Sequence, residues 1–199
     1  MIYYLVYFMS KTIRTFIAME IPGTIISKIR ELQDGIKAYG FKIRWVRAEN
    51  IHLTLKFLGG VEEIKINEIA KAVSKTVEGH SPIALKAKGV GVFPGIKRPR
   101  VLWVGLAGQL ETLVRLQQTL DENLIVLGFP REERPFKGHL TMGRIKNKID
   151  VKKLSDALMA FRSFESKTFT AGQIILYKSE LKPSGAVYTK LASASLNGQ

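Results

Sequence analysis

The chain has 199 residues, of which 46% are hydrophobic and 24% charged, a composition that predicts a globular protein able to bury a sizeable core. It contains no cysteine, which excludes disulfides, thiolate metal sites and a cysteine nucleophile, and we expect a cytoplasmic location. Thirty-one Lys and Arg residues against 17 Asp and Glu give a net charge of +14, which favours a polyanionic partner.

The amino-terminal residues 1–9 are apolar and aromatic, but they lack the basic region and the cleavage site of a signal peptide and are too short to span a bilayer. No other segment approaches 18 uninterrupted apolar residues, so no membrane partner is expected. We interpret residues 1–11 as an extension, either disordered or the product of an upstream start site. Residues 12–199 are expected to form a single bilobal domain.

Hydrophobic periodicity and turn residues predict alternating strands and helices in the first half of the chain. In order, these are a strand over 12–20, a helix over 24–38, a strand over 43–46, a strand over 51–58 that stops at Gly59-Gly60, a helix over 62–78 and a strand over 83–93. The second half has a strand over 101–106, a helix over 109–127 capped by Gly128, a loop over 129–138, a strand over 139–142, a helix over 151–161, and strands over 164–193 broken at Gly172 and at 183–185.

Each half therefore runs strand, helix, strand, helix, strand, with a His-x-Thr-x segment in the middle strand, which indicates an internal duplication. Neither half is large enough to bury its sheet alone. We therefore predict an α/β fold of two lobes packed together.

The two motifs begin at His52 and His139, and each has a threonine two residues later, Thr54 and Thr141. Side chains alternate across a strand, so the imidazole and the hydroxyl share one face while the intervening apolar residues point into the core. If the lobes are related by approximate twofold symmetry, both pairs face the same cleft. A single His-x-Thr is common, and a histidine satisfied by backbone hydrogen bonds is its default interpretation; the paired recurrence is what favours a site. The third histidine, His80, lies in a predicted turn.

Such a site fits the opening of a cyclic phosphodiester. One group must take a proton from the attacking water and another must give a proton to the departing ribose oxygen, and histidine can hold either protonation state near neutral pH. Threonine hydroxyls can donate to the non-bridging phosphoryl oxygens. No metal ion is required for these steps.

Five segments carry a family resemblance: 14–18, 50–59, 89–94, 138–144 and 184–188. With both His-x-Thr-x motifs intact, they resemble the RNA 2′,3′-cyclic phosphodiesterases, also called 2′-5′ RNA ligases, of the two-histidine phosphoesterase superfamily. The resemblance implies an α/β (α+β) fold of two pseudo-twofold-related lobes, each a mainly antiparallel sheet with two helices, with the active-site cleft between them. It implies that His52 donates a proton to the leaving oxygen, that His139 accepts one from water, and that the product is a terminal 2′-phosphate. It also implies a reversible, ATP-independent 2′-5′ ligation. The expected partners are RNAs with 2′,3′-cyclic phosphate ends, tRNA fragments among them, acted on by a monomer without cofactor.

Arg144 lies at an odd offset from His139, so a regular strand would turn it away from the cleft. A bend or bulge at Gly143 would bring its guanidinium to the substrate phosphate. Arg100, at the start of a strand, is a weaker candidate for the same role. A substrate-binding role for Arg144 is also supported by the resemblance.

Phe93 and Tyr188 lie at strand or loop ends and are candidate platforms for stacking a terminal base, a contact worth about 1–3 kcal/mol. Phe57 shares strand parity with Leu53 and Leu55, so we expect it in the core.

Three alternatives remain open from the sequence. The same fold and histidines could act on a cyclic nucleotide or another small cyclic phosphate. The histidines could merely contact phosphate in a non-catalytic RNA-binding module. A metallohydrolase is the weakest alternative, because catalytic zinc normally has three protein ligands and the motifs contain no nearby carboxylate.

Overall fold

The structure, a computed structural model, describes residues 11–183 and 185–198, so the predicted extension over 1–11 lies, apart from Lys11, outside the described residues. The described part contains nine strands and four α-helices. In chain order they are β1 Thr12–Glu20, α1 Gly23–Lys37, β2 Arg44–Trp45, β3 His52–Glu62, α2 Ile66–Val77, β4 Ile83–Phe93, β5 Val101–Gly108, α3 Leu110–Ile125, β6 His139–Arg144, α4 Val151–Ala160, β7 Phe169–Ala171, β8 Gln173–Lys182 and β9 Gly185–Ser195. Short 3₁₀ turns precede β3 and α2, at Ala48–Asn50 and Glu63–Lys65.

The strands form one curled sheet in the order β7-β4-β5-β6-β3-β1-β8-β9, with β2 paired to β6, and every pairing is antiparallel. At its centre β3 meets β6 through the single pair Leu53 and Leu140. On either side of this pair the order is matched, β1-β8-β9 against β5-β4-β7. The prediction of two pseudo-twofold-related lobes in a mixed α/β fold is confirmed, although the lobes share a continuous sheet.

Each lobe draws its strands from both halves of the chain: β8 and β9 extend the lobe of β1 and β3, and β4 lies between β5 and β7 in the other lobe. Helices α2 and α3 pack together, with Asn123 Nδ2 donating to Thr76 Oγ1 at 3.1 Å; α2 contacts β8 and β9, and α3 contacts both β3 and β4. Helix α1 packs beside the end of α4, where Gly35 lies against the ring of Phe161 so closely that a Cβ would collide with it. On this side Gln33 of α1 is buried and donates to the carbonyl of Met142 at 2.9 Å.

The core fills the space between the sheet and the helices. Helices α1 and α3 present apolar residues at intervals of three and four to it, and all of them are buried: Ile25, Ile29, Leu32 and Ile36 in α1, and Leu113, Leu116, Leu120 and Leu124 in α3. Burying each such side chain contributes about 1.5–3 kcal/mol relative to leaving it exposed. No helix among residues 11–183 and 185–198 is long and apolar enough to cross a membrane.

Element boundaries differ from the predictions mainly around β3. This strand does not stop at Gly59-Gly60 but continues to Glu62, because β1 pairs with it along its whole length. The helix predicted from residue 62 therefore begins only at Ile66. Strand β2 has two residues rather than four, since a 3₁₀ turn leads from it directly into β3.

Candidate active site

A cleft of about 790 Å³ opens where β3 and β6 meet, and it is lined by both motifs. His52 and Thr54 come from β3, and His139 and Thr141 come from β6. The two leucines between them, Leu53 and Leu140, are fully buried on the opposite face of the sheet. The alternation predicted from the sequence thus places two imidazoles and two hydroxyls around a common space.

Both imidazoles are held in the same way. Nδ1 of His52 lies 2.8 Å from the carbonyl oxygen of Asn50, and Nδ1 of His139 lies 2.7 Å from the carbonyl oxygen of Lys137. A carbonyl oxygen can only accept, so each Nδ1 carries a hydrogen. In the neutral ring Nε2 is therefore the unprotonated nitrogen, free to take a proton, and in the charged ring it can give one.

His52 is half-buried among aromatic side chains. Its ring stacks on Phe16 at a centroid distance of 4.8 Å and stands perpendicular to Tyr188 at 5.3 Å. Burial lowers the pKa of His52 to about 4, against the opposing hydrogen bond to Asn50, and the positive charge of Arg144 lowers it further. His52 is therefore neutral at pH 7.

Both motif strands carry a β-bulge at the same place. In β3 the pairing with β1 passes from Thr54 to Lys56, so Leu55 is the extra residue; in β6 the pairing with β5 passes from Thr141 to Gly143, so Met142 is the extra residue. Each bulge exchanges the faces of the residues that follow.

The bulge in β6 turns Arg144 toward the cleft, as its odd offset from His139 required. In β3 the equivalent position is Phe57, which also lines the cleft and is 55% exposed. The prediction that Phe57 packs in the core was wrong, because regular alternation does not continue past Leu55. The duplication itself was the missed signal, since a bulge needed in one copy is expected in the other.

Phe93 and Tyr188 both line the cleft, each against one histidine: Phe93 stands perpendicular to His139 at a centroid distance of 5.0 Å. The structure does not bring Arg100 into the cleft; its Nη1 donates to the carbonyl of Lys146 at 3.2 Å. The tip of the β8–β9 hairpin also borders the cleft, and Asn50 Nδ2 donates to Ala186 O there at 2.8 Å. Asn50 thus touches both the hairpin and the ring of His52.

Three arginines that we did not predict as site residues also line the cleft: Arg14, Arg44 and Arg47. Arg44 lies directly across from Arg144 in the β2–β6 pairing. Among the described residues that line the cleft there is no Asp or Glu. Strand parity could have indicated Arg14, which shares the cleft face of β1 with Phe16, but β2 and the turn after it are too short to give a periodic signal.

The remaining histidine, His80, lies outside the cleft, and its Nε2 is 3.3 Å from Thr119 Oγ1. Within residues 11–183 and 185–198, no group of three or more His, Cys, Asp or Glu residues is arranged to hold a metal ion.

Comparison with known proteins agrees with this fold and with the paired motifs. The LigT like phosphoesterase family model matches the chain twice, over residues 19–103 and 104–188. The chain therefore belongs to the LigT like phosphoesterase family, and the two matches correspond to the internal duplication.

Relatives match over nearly their whole length. A protein of Methanocaldococcus jannaschii named RNA 2′,3′-cyclic phosphodiesterase is 38% identical over 88% of this chain and 96% of its own. One of the same name from Methanothermobacter thermautotrophicus is 34% identical over 90% of this chain and 96% of its own. The crystal structure of a protein of Thermus thermophilus has a TM-score of 0.77 and 26% identity, covering 94% of this chain and 99% of that protein.

Proposed function

We propose that this protein hydrolyses RNA 2′,3′-cyclic phosphate ends to a terminal 2′-phosphate by acid–base catalysis with His52 and His139. The observation that carries the proposal is the matched pair of imidazoles, each fixed through Nδ1 by the carbonyl two residues before it and each leaving Nε2 for the cleft. The names of the relatives support the cyclic phosphate as the substrate group. The net charge of +14 and the arginine-lined cleft support RNA over a small neutral molecule.

In the proposed reaction a water oxygen attacks phosphorus and His139 Nε2 takes the proton of that water. The bond from phosphorus to the 3′ oxygen breaks, and His52 Nε2 protonates that oxygen, which leaves a 2′-phosphate and a 3′-hydroxyl. Thr54 and Thr141 donate hydrogen bonds to the non-bridging oxygens. A 5′-hydroxyl in place of the water would give a 2′-5′ linkage, so ligation belongs to the same proposal.

His52 must be protonated to act as the acid, and its low pKa opposes this. A bound phosphate brings a negative charge beside the ring, and an opposite charge at such a distance raises the pKa of an imidazole. Arg144, which also lines the cleft, would hold that phosphate through charge-assisted hydrogen bonds. We therefore expect His52 to gain its proton together with the substrate.

The test is product analysis with an oligonucleotide ending in a 2′,3′-cyclic phosphate, in the presence of EDTA. We expect a 2′-phosphate, and a 3′-phosphate or no product would contradict the proposal. His52→Ala and His139→Ala should each lower turnover by about 10²–10⁴-fold with RNA binding largely kept. His80→Ala is the matched control and should not change it. Turnover of a cyclic mononucleotide without turnover of the RNA would move the substrate class to small cyclic phosphates, and equal losses of binding and rate would indicate a binding module.

The domain organisation, the oligomeric state, the location and the RNA substrate of the protein belong to the same proposal. We infer that residues 12–199 work as one domain and as a monomer in the cytoplasm, on RNA fragments that include those of tRNA. The exchange of strands between the two halves of the chain supports the single domain, because neither half contains a complete lobe. Limited proteolysis and light scattering test the domain and the monomer, respectively.

A further inference from the structure

Two arginines face each other across neighbouring strands at one end of the cleft. Arg44 of β2 lies directly opposite Arg144 of β6 in their antiparallel pairing, and both side chains are exposed and line the cleft. Directly opposed residues of an antiparallel pair project from the same face of the sheet, and two like charges placed in this way repel each other. Among the described residues that line the cleft there is no Asp or Glu to offset this repulsion. An anion beside the guanidiniums relieves it, so this end of the cleft favours a phosphate-bearing ligand.

The pairing of β2 explains why a second cation stands beside the reaction centre. Strand β6 pairs with β3 at Leu140, between the two histidine motifs, and with β2 at Gly143 and Arg144. Strand β2 thus takes the place beside β6 that β3 leaves, and Arg44 lies one strand, about 4.8 Å, beyond Arg144. Burial lowers the pKa of His52 and the charge of Arg144 lowers it further, which places Arg144 close to that ring. Arg44 is therefore the next cation outward from the one that we assign to the cyclic phosphate.

The other two arginines of the cleft have different surroundings. Arg47 lies along the tip of the β8–β9 hairpin, where its Cζ is 3.7 Å from the position that a Cβ on Gly185 would occupy. Arg14 belongs to β1, which lies on the far side of β3 from β6. Within residues 11–183 and 185–198 the guanidinium of Arg44 forms no hydrogen bond or ion pair. Its donors are therefore available to a ligand in the cleft.

We propose that Arg44 binds the phosphodiester group that joins the terminal nucleotide to the nucleotide before it. This inference rests on the function proposed above, in which the cyclic phosphate lies between the histidines with Arg144 beside it. The next anion along an RNA chain is one ribose away from the cyclic phosphate, and Arg44 is one strand away from Arg144. A guanidinium can donate two parallel hydrogen bonds to the non-bridging oxygens of such a group. The cleft thereby distinguishes an RNA end from a cyclic mononucleotide, which has no phosphodiester at that place.

The test uses three short RNAs that end in a 2′,3′-cyclic phosphate and differ in one linkage. The first has phosphodiesters throughout, the second has a neutral methylphosphonate at the last linkage, and the third has the methylphosphonate one linkage further from the end. With the wild-type protein, kcat/KM on the second RNA should be about 10-fold lower than on the first, as expected for the loss of one exposed charge-assisted contact. The third RNA should be turned over like the first.

Variants of Arg44 assign the preference to this side chain. Arg44→Gln removes the charge and should bring the ratio of kcat/KM between the first and second RNAs to near 1. Arg44→Lys keeps the charge without the fork and should retain part of the ratio. Raising the ionic strength should lower the wild-type ratio, because salt screens an exposed pair of charges. Arg30→Gln is the matched control, because Arg30 is exposed on α1 outside the cleft and its loss should leave the ratio unchanged.

A wild-type ratio near 1 overturns the proposal, and so does a ratio that Arg44→Gln leaves unchanged. If Arg44→Gln lowers kcat/KM equally on the first and second RNAs, Arg44 acts on the cyclic phosphate together with Arg144 and the assignment is wrong. A loss on the third RNA without a loss on the second moves the contact to a different linkage and also overturns the assignment. Absence of turnover on all three RNAs in the wild-type protein would instead refute the proposed function, so the two failures are distinguishable.

Discussion

Replacing Lys56 with Met tests the ion pair that is buried beneath the bulge of β3. Lys56 Nζ lies 2.5 Å from Asp121 Oδ1 and donates to the carbonyl of Pro130 at 2.7 Å, and the two charged side chains are 2% and 8% exposed. Gln117 Nε2 donates to the other carboxylate oxygen at 2.9 Å. Regular alternation would turn residue 56 toward the cleft, so the burial of this lysine is a consequence of the bulge.

Removing one partner leaves the other charge buried without compensation, which costs about 3–5 kcal/mol. We expect Lys56→Met to lower the free energy of unfolding by that amount, measured by denaturant titration. For a chain of this size the corresponding fall in Tm is about 6–20 °C. Adding Asp121→Leu should recover most of the loss, because the double variant buries no charge, and the double-mutant cycle then isolates the interaction between the two side chains.

Lys28→Met is the matched control. Lys28 Nζ lies 2.7 Å from Glu31 Oε2, a similar distance, but the side chains are 60% and 65% exposed. An exposed pair at this helical spacing contributes about 0.2–0.5 kcal/mol. A loss for Lys56→Met as small as that for Lys28→Met would refute the reasoning, since it would mean that Lys56 remains hydrated.

Two further predictions concern the cleft. Because the pKa of His52 falls from 6.5 to about 4 on folding, its contribution to stability is fully present above pH 6.5 and is lost as the pH falls from 6.5 to 4. The loss in the free energy of unfolding is at most about 3 kcal/mol. Urea titrations at several pH values should show this loss in the wild-type protein and not in His52→Gln. Arg144→Lys keeps the charge but removes the forked geometry of the guanidinium, so kcat/KM on cyclic-ended RNA should fall by roughly 10-fold. Arg144→Ala removes the charge as well and should lower kcat/KM by up to about 100-fold. Lys146→Ala is the control, because Lys146 is exposed outside the cleft and its loss should leave kcat/KM unchanged.

The sequence predicted those features that depend on short-range periodicity and on repetition. The helices follow from apolar residues at intervals of three and four, and the duplicated His-x-Thr-x pattern predicted that the two motifs share a cleft. Phe57 was mispredicted because a bulge depends on pairing with β1, which no local pattern in β3 reports. Gly143 signalled the bulge in β6, whereas residues 55–57 of β3 contain no glycine.

Residues contributed by short or distant segments could not be predicted in the same way. Arg44 belongs to a two-residue strand and faces the cleft only because β2 pairs with β6, where its partner Arg144 lies 100 positions along the chain. Nor could the sequence indicate that each lobe takes strands from both halves, because the alternation within a strand does not report which strands pair with it. Such features depend on tertiary pairing.

The duplication gives the protein two nearly equivalent histidines, so their distinct roles must come from residues that the two copies do not share. The copies match through the imidazole, the carbonyl that holds it, the threonine and the bulge, and they differ after it, at Lys56 against Gly143 and at Phe57 against Arg144. Burial, and after it the charge of Arg144, disfavours protonation of His52. In the proposed reaction Arg144 attracts a phosphate whose negative charge favours protonation of the same ring. In the proposed reaction, substrate binding therefore turns His52 into an acid. The position that matches Arg144 in the other copy is Phe57, whose side chain carries no charge.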